Sequence, residues 1–261
     1  MRMCNTFIFR AFALIMLTST AYAEQMPLRL CKPDEVQKIY QILKDVHEIF
    51  TFYKIEYWID GGTLLGAVRN CGLIPWDDDL DLCIFEEQEQ QFLALIPLLN
   101  SLGYEVIGMQ FGYKIYARDG QVIPKRPFTY PNCDIAIMTR LKDDVFYKMH
   151  WPLERTHGPV SLKVDELYPL RHYLFGPLRV IGPNNPYNYL TKWYGTIWST
   201  VAWQSFDHHI DKSVNRVEMK LSPEHRLPAV PAQPLENRFS APVVKLWPTD
   251  FAHDYPFILF E

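Results

Sequence analysis

The chain has 261 residues, 48% of them hydrophobic and 15% aromatic, with a formal net charge of -4 at neutral pH. That length suits one large domain, or a core domain with extensions, and the apolar share can fill a sizeable core, which excludes wholesale disorder. A mildly acidic chain is not held to nucleic acid by bulk positive charge, so no nucleic-acid partner is expected.

Residues 1–23 read as a secretory signal peptide. Arg2 and Arg10 precede the apolar run Ala11–Leu17, and Ala21-Tyr22-Ala23 supplies a small-x-small cleavage pattern. The rival reading is a short anchor, but the run is far below the ~20 residues of a spanning helix, so no stable membrane span is expected. The mature chain would be exported: secreted, periplasmic or in a secretory-pathway lumen. Cys31, Cys71, Cys83 and Cys133 remain after cleavage. They permit up to two disulfides, or serve as small buried thiols, and with no C-x-x-C pair they give a structural zinc site no support.

Apolar residues at Val36, Ile39, Tyr40, Leu43, Val46 and Phe50 recur at helical spacing, which predicts a helix opened by Pro33-Asp34, capped by Asp34 and ending near Tyr53-Lys54. Ile55–Ile59 is β-prone. Asp60-Gly61-Gly62-Thr63 breaks it, and Leu64–Arg69 resumes as a short helix. After Asp77-Asp78-Asp79, Leu80–Phe85 reads as a strand. Glu86–Asn100 reads as one helix with Pro97 a possible kink. Strands are expected at Tyr104–Met109, Tyr113–Ala117, Asp134–Met138 and Asp144–His150, with a turn at Asp119-Gly120, and a helix at Tyr187–Trp193 ending at Gly195. Beyond Leu221 frequent prolines predict an extended tail wrapped on the surface. The order of elements predicts an α/β fold, or an α+β mixed sheet with flanking helices. The expected divisions are 1–23, a main domain over 24–200, and a C-terminal extension over 201–261.

The stretch from Gly61 to Asp81 carries the chemistry. An enzyme that moves a nucleotide-linked phosphate needs backbone close to phosphate oxygens, which favours glycine opening a helix, and rigid carboxylates for Mg²⁺ or Mn²⁺. Asp79 and Asp81 are one residue apart, so on a strand they face the same side. Asp77 shares their phase if the strand starts early. Asp134, at the head of Ile135-Ala136-Ile137-Met138, is the expected third acid, a ligand or the acceptor of a hydroxyl proton. An Asp-x-Asp pair alone is more often a solvated turn or a structural Ca²⁺ loop; the preceding Gly-Gly-Thr and short helix are what raise it above that. His208-His209 is a poor shared-metal pair, because adjacent residues point apart. The rings of Trp193, Tyr194, Trp198 and Trp203 read first as core, although a choline-type cation can sit on such faces.

Trp58–Arg69 followed by Gly72–Leu82 resembles the signature of the LicD and fukutin-related family. A looser similarity runs from about 165 to 195, with Pro183-Asn184-Asn185 and Trp193-Tyr194-Gly195. The resemblance implies a nucleotidyltransferase-like core and an enzyme that transfers phosphocholine or a polyol phosphate from a CDP-linked donor to a glycan hydroxyl. It implies that Gly61, Gly62 and Thr63 contact donor phosphates, that Asp79 and Asp81 hold Mg²⁺ or Mn²⁺ with Asp77 assisting, and that Asp134 is the third acid. Arg69 and Lys114 are candidates for neutralising phosphate charge, and each is equally readable as a solvated surface cation. No cysteine lies beyond Cys133, so the zinc insertion some fukutin-related proteins carry is not expected. Two rivals remain at this stage: a glycosyltransferase using Asp-x-Asp for a nucleotide-sugar, and a secreted binding protein that keeps the fold.

Overall fold

A computed structural model describes residues 27–148 and 161–241. The expected signal peptide at 1–23, the far end of the expected strand Asp144–His150 and the prolines at 242, 248 and 256 lie outside the described residues.

Helix α1, Pro33–Phe52, buries the face its spacing marks: Ile39, Tyr40, Leu43, Val46 and Phe50 are all inaccessible. Each such side chain stabilises the fold by roughly 1.5–3 kcal/mol relative to exposure. The cap differs from expectation. Asp34 sits inside the first turn, and it is Glu35 that reaches back, its Oε2 accepting from the Lys32 amide at 2.8 Å. With Lys32 as the cap and proline at the first helical position, the helix starts two positions earlier than a cap at Asp34 requires.

The short strand β1 (Tyr57–Ile59) leads into helix α2 (Gly61–Arg69), then strand β2 (Leu80–Phe85). Glu86–Asn100 is not one helix. A 3₁₀ turn at Glu86–Gln88 is followed by α3 (Glu89–Ala94) and α4 (Ile96–Ser101), because Pro97 has no amide to continue the ladder. Strand β3 (Tyr104–Met109) then pairs with β4 (Gly112–Val122). The expected turn at Asp119-Gly120 falls inside β4, where the pairing with β5 (Thr129–Leu141) shifts register between Tyr116 and Gln121. The turn residues mark a bulge rather than a strand end. Both β4 and β5 outrun their expected lengths.

The sheet runs β1-β2-β5-β4-β3, and strands β6 (Asp144–Tyr147) and β7 (Leu162–Lys163) extend it from β5. Strands β2 and β5 are parallel, and every other pairing among the described residues is antiparallel. The predicted mixed sheet with flanking helices is the observed one. Helix α1 packs across β5 and α2 against β2, so the core lies between helices and sheet.

After the short helix α5 (Val164–Leu167), the chain forms two hairpins that hydrophobic patterning does not predict: β8 (Arg171–Phe175) with β9 (Leu178–Gly182), and β10 (Val201–Asp207) with β11 (Lys212–Lys220). Between them lies α6 (Tyr187–Tyr194), stopped by Gly195 at φ 73°. The described part of the segment beyond Leu221 carries one 3₁₀ turn, Glu224–Arg226, and otherwise no helix or strand. It ties α1 to the loop after α2: the Ala229 amide donates to the Leu73 carbonyl at 2.9 Å, Tyr40 donates to the Ala229 carbonyl at 2.8 Å, and Gln41 exchanges bonds with Glu236. All four described cysteines are free thiols, so the disulfide alternative is set aside; Cys83 and Cys133 are buried in the sheet.

Candidate active site

The site begins with backbone. Gly61 opens α2 at φ +49°, in the region that favours glycine. A Cβ there would lie 2.3 Å from Asp81 Oδ2, and a Cβ on Gly62 would lie 2.2 Å from Asp77 Oδ2. Only hydrogen fits between this helix start and the carboxylates. The Gly62 amide donates to Asp81 Oδ2 at 2.9 Å, and the Asp81 amide donates to Thr63 Oγ1 at 2.8 Å. Thr63 is buried and fixes the Asp81 backbone, while Gly61 and Gly62 line an open cleft.

Strand register assembles the acids. Asp81 stands opposite Asp134 across the parallel pair, and Asp134 stands opposite Lys114 across the antiparallel pair. Opposed residues share a face, so three side chains form one row across β2, β5 and β4. Asp79 joins from just before β2, and the carboxylate oxygens of Asp79, Asp81 and Asp134 lie within 4.8 Å of one another. Asp77 is not in strand phase; it arrives by a turn whose amide bonds the Ile74 carbonyl at 2.9 Å, and it still lines the cleft. Lys114 is buried. It forms an ion pair with Asp134 and donates to Asn132 Oδ1 at 2.6 Å, so it is no solvated surface cation.

Burial pushes the carboxyls of Asp77, Asp79 and Asp81 above the usual range, and like charge from the neighbouring aspartates adds to the rise. Asp134 is raised by burial to about 6, with Lys114 holding it back. Burial lowers His208, but Asp79 and Asp78 more than reverse this and bring it to about 10. Arg69 is lowered by burial to about 10. A buried cluster of carboxylates repels itself and is neutralised by a hard divalent cation, and this all-oxygen set suits one. The clustered acids thus fit a divalent cation.

The opposite wall is aromatic. Trp193 and Tyr194 come from α6, Trp198 from the turn after it, and Trp203 and Phe206 from β10. They close a cleft of about 430 Å³. Arg69 bonds the Trp198 carbonyl at 3.0 Å and lies 5.8 Å from the Trp76 ring, and Arg216 lies 4.8 Å from the Trp203 ring. Trp193, Tyr194 and Trp198 pack half-buried against the main core, as expected, and with Trp203 they also line the cleft.

Two groups escaped the sequence. His208 and His209 do diverge, His209 to the Tyr130 ring and His208 inward, where Nδ1 is 2.7 Å from Asp78 Oδ1 and Nε2 is 3.0 Å from Asp79 Oδ2. No spacing links position 208 to 78. Asp60, buried at the start of α2, accepts from the Tyr147 hydroxyl, and burial raises its carboxyl; both residues line the cleft.

A mixed sheet that carries an Asp-x-Asp strand parallel to a third aspartate, beside a helix opened by two glycines, defines a nucleotidyltransferase-fold protein with a cation-competent acid site. Residues 54–185 match the LicD/FKTN/FKRP nucleotidyltransferase domain. The chain belongs to that family. An uncharacterized protein of Rickettsia prowazekii (strain Madrid E) is 34% identical over 207 residues, covering 76% of this chain and 71% of that one. Lipopolysaccharide cholinephosphotransferase LicD of Haemophilus influenzae is 46% identical over 52 residues, 20% of each chain. Human ribitol 5-phosphate transferase FKRP is 32% identical over 84 residues, 32% of this chain and 17% of that protein. The chain therefore spans a small part of the two named transferases it matches, and what it shares with them is membership of a family whose named relatives transfer phosphorus-containing groups. Among the described residues no helix is long and apolar enough to cross a membrane.

Proposed function

We propose that the protein is a phosphotransferase that moves phosphocholine or a polyol phosphate from a CDP-linked donor to a glycan hydroxyl, with Mg²⁺ or Mn²⁺ as cofactor. The observation that carries this reading is the row Asp81–Asp134–Lys114 set by strand register beside the Gly61-Gly62 helix start. Asp79 and Asp81 would hold the cation with Asp77 assisting, and when bound it would offset charge on the donor's phosphate oxygens. The α2 N-terminus directs positive partial charge and backbone at the same phosphates. Asp134, its carboxyl raised by burial to about 6, accepts the proton of the attacking hydroxyl, and Lys114 fixes its orientation. The new bond joins the acceptor oxygen to the distal phosphorus; the bond from that phosphorus to the bridging oxygen breaks and CMP leaves. Thr63 supports the reading indirectly, as the fixture of Asp81. Arg69 at the cleft wall adds charge toward the donor. Residues 1–23 motivate a proposal of export, which secretion of a reporter fused behind them tests.

The test is CMP release by the full chain with Mn²⁺ from CDP-choline, CDP-ribitol, CDP-glycerol and nucleotide-sugars, against Asp79→Ala. Metal-dependent CMP release lost in the variant is expected. Release of a nucleoside diphosphate from a nucleotide-sugar would instead establish a glycosyltransferase, and tight donor binding without turnover a binding protein.

A further inference from the structure

We propose that His208 is a nitrogen ligand of a divalent cation that it shares with Asp79, delivered to the acid site by the β10–β11 hairpin and oriented by Asp78. This rests on the metal-dependent reading above but adds a ligand from residues outside the 54–185 match.

Three observations carry it. The first is the ring's two different partners. Nδ1 lies 2.7 Å from Asp78 Oδ1, and an ionised carboxylate only accepts, so Nδ1 bears the hydrogen. Nε2 meets a carboxylate too, so without metal it also bears a hydrogen; a cation would displace that proton, and the Asp78 bond keeps the remaining one on Nδ1. A carboxylate behind a metal-bound imidazole is the usual way proteins fix the ring's tautomer and orientation. The second is where Nε2 points. It faces Asp79 Oδ2 at 3.0 Å, and Asp79 is itself part of the Asp79–Asp81–Asp134 group. Two ligands at right angles on a cation with bonds of about 2.1 Å stand about 3 Å apart, so this pair already has the spacing of one octahedral edge. Asp78, Asp79 and His208 each offer an atom within 4.8 Å of the others, a second ligand group that meets the first at Asp79. The third is the rigidity of the support. Asp78 is held from its other oxygen by Arg29 Nη1 at 3.3 Å, Arg29 is paired to Glu35 at 2.7 Å, and the Phe206 ring lies 4.8 Å from the imidazole. The histidine is built into the site from behind and from the side.

The consequence is chemical. An all-carboxylate site favours Mg²⁺, whereas one imidazole shifts preference toward Mn²⁺ and later first-row ions. It also ties the aromatic hairpin to the cation, so that one contact both completes the ligand set and closes the cleft.

The test uses the full chain loaded with substoichiometric Mn²⁺ and reads nitrogen-14 modulation in the electron spin echo of the bound ion, which needs no substrate. Modulation from a directly bound imidazole is expected in the wild type and absent in His208→Gln. The variant should also bind Mn²⁺ on the order of ten- to a hundredfold more weakly while keeping the wild-type circular dichroism spectrum. Bound Mn²⁺ with no nitrogen coupling in the wild type, or coupling that persists unchanged in His208→Gln, overturns the assignment and leaves the carboxylate reading standing. No Mn²⁺ uptake by the wild type overturns both.

Discussion

The two walls of the cleft are built by different means. The acid wall is made of paired strands, where Asp81, Asp134 and Lys114 occupy one row because backbone pairing leaves them no other place. The aromatic wall is a helix, a turn and a hairpin whose described strands pair with none in the main sheet; Trp198 and Trp203 line the cleft, and His208 reaches Asp79 through its side chain. The difference teaches where each kind of error would show. Damage to the acid wall should remove chemistry, while damage to the aromatic wall should change what binds and how tightly.

Removing a carboxylate gives the largest expected effect. Asp81→Asn should lower turnover by about a thousandfold or more, the scale of several kcal/mol of lost charge stabilisation. The same variant removes a buried, repelled charge, so its metal-free melting temperature should rise rather than fall, a trade of stability against function. Parallel kinetics and calorimetry check both halves, and a destabilised, active variant breaks the comparison.

Next comes the helix start. Gly62→Ala drives a methyl group against Asp77 Oδ2, so the acid or the helix must shift. Displacement of about 1 Å costs roughly a hundredfold in turnover, with the fold retained. Steady-state kinetics with unchanged circular dichroism would support this; a fully active variant would show that the close approach is incidental.

The aromatic wall should respond differently. Trp203→Ala removes the ring against which Arg216 lies, and the expected result is a KM raised about tenfold with kcat within a factor of a few. An equal fall in kcat with KM unchanged would move that wall into the chemistry.

A pH effect sharpens the contrast further. Asp134 titrates near 6 in the folded chain and near 3.9 when unfolded, so the folded state holds the extra proton between those values. This group therefore destabilises the metal-free protein as pH rises from about 4 to 7, and Mn²⁺ should offset the loss. Melting curves across that range with and without Mn²⁺ check it, and no cation-dependent difference in slope would contradict it.

The acid wall was legible because it obeys local rules. Asp79 and Asp81 declare themselves by alternation, Gly61 and Gly62 by breaking a β-prone run, and Asp134 by heading the next apolar run. Even so, Asp77 would share the strand phase only with an early strand start and instead arrives by a turn, and Lys114 is ambiguous in sequence because its burial depends on register with Asp134. The aromatic wall was not legible. Lys212–Lys220 is largely exposed and alternates weakly, so nothing in it announces a strand, and the partnership of His208 with Asp78 spans 130 positions. Contacts of that kind are decided by tertiary packing, which no short window of sequence contains.

The central claim, that the carboxylates of the strand wall are a cation site, is tested most directly by melting the wild type and Asp81→Asn with and without saturating Mn²⁺. A cation at a hundred times its dissociation constant stabilises the folded state by about 2.7 kcal/mol, or roughly 5–10 °C for a domain of this size. The wild type is predicted to gain that shift and Asp81→Asn to lose most of it; equal shifts in both proteins, or none in the wild type, would contradict the account.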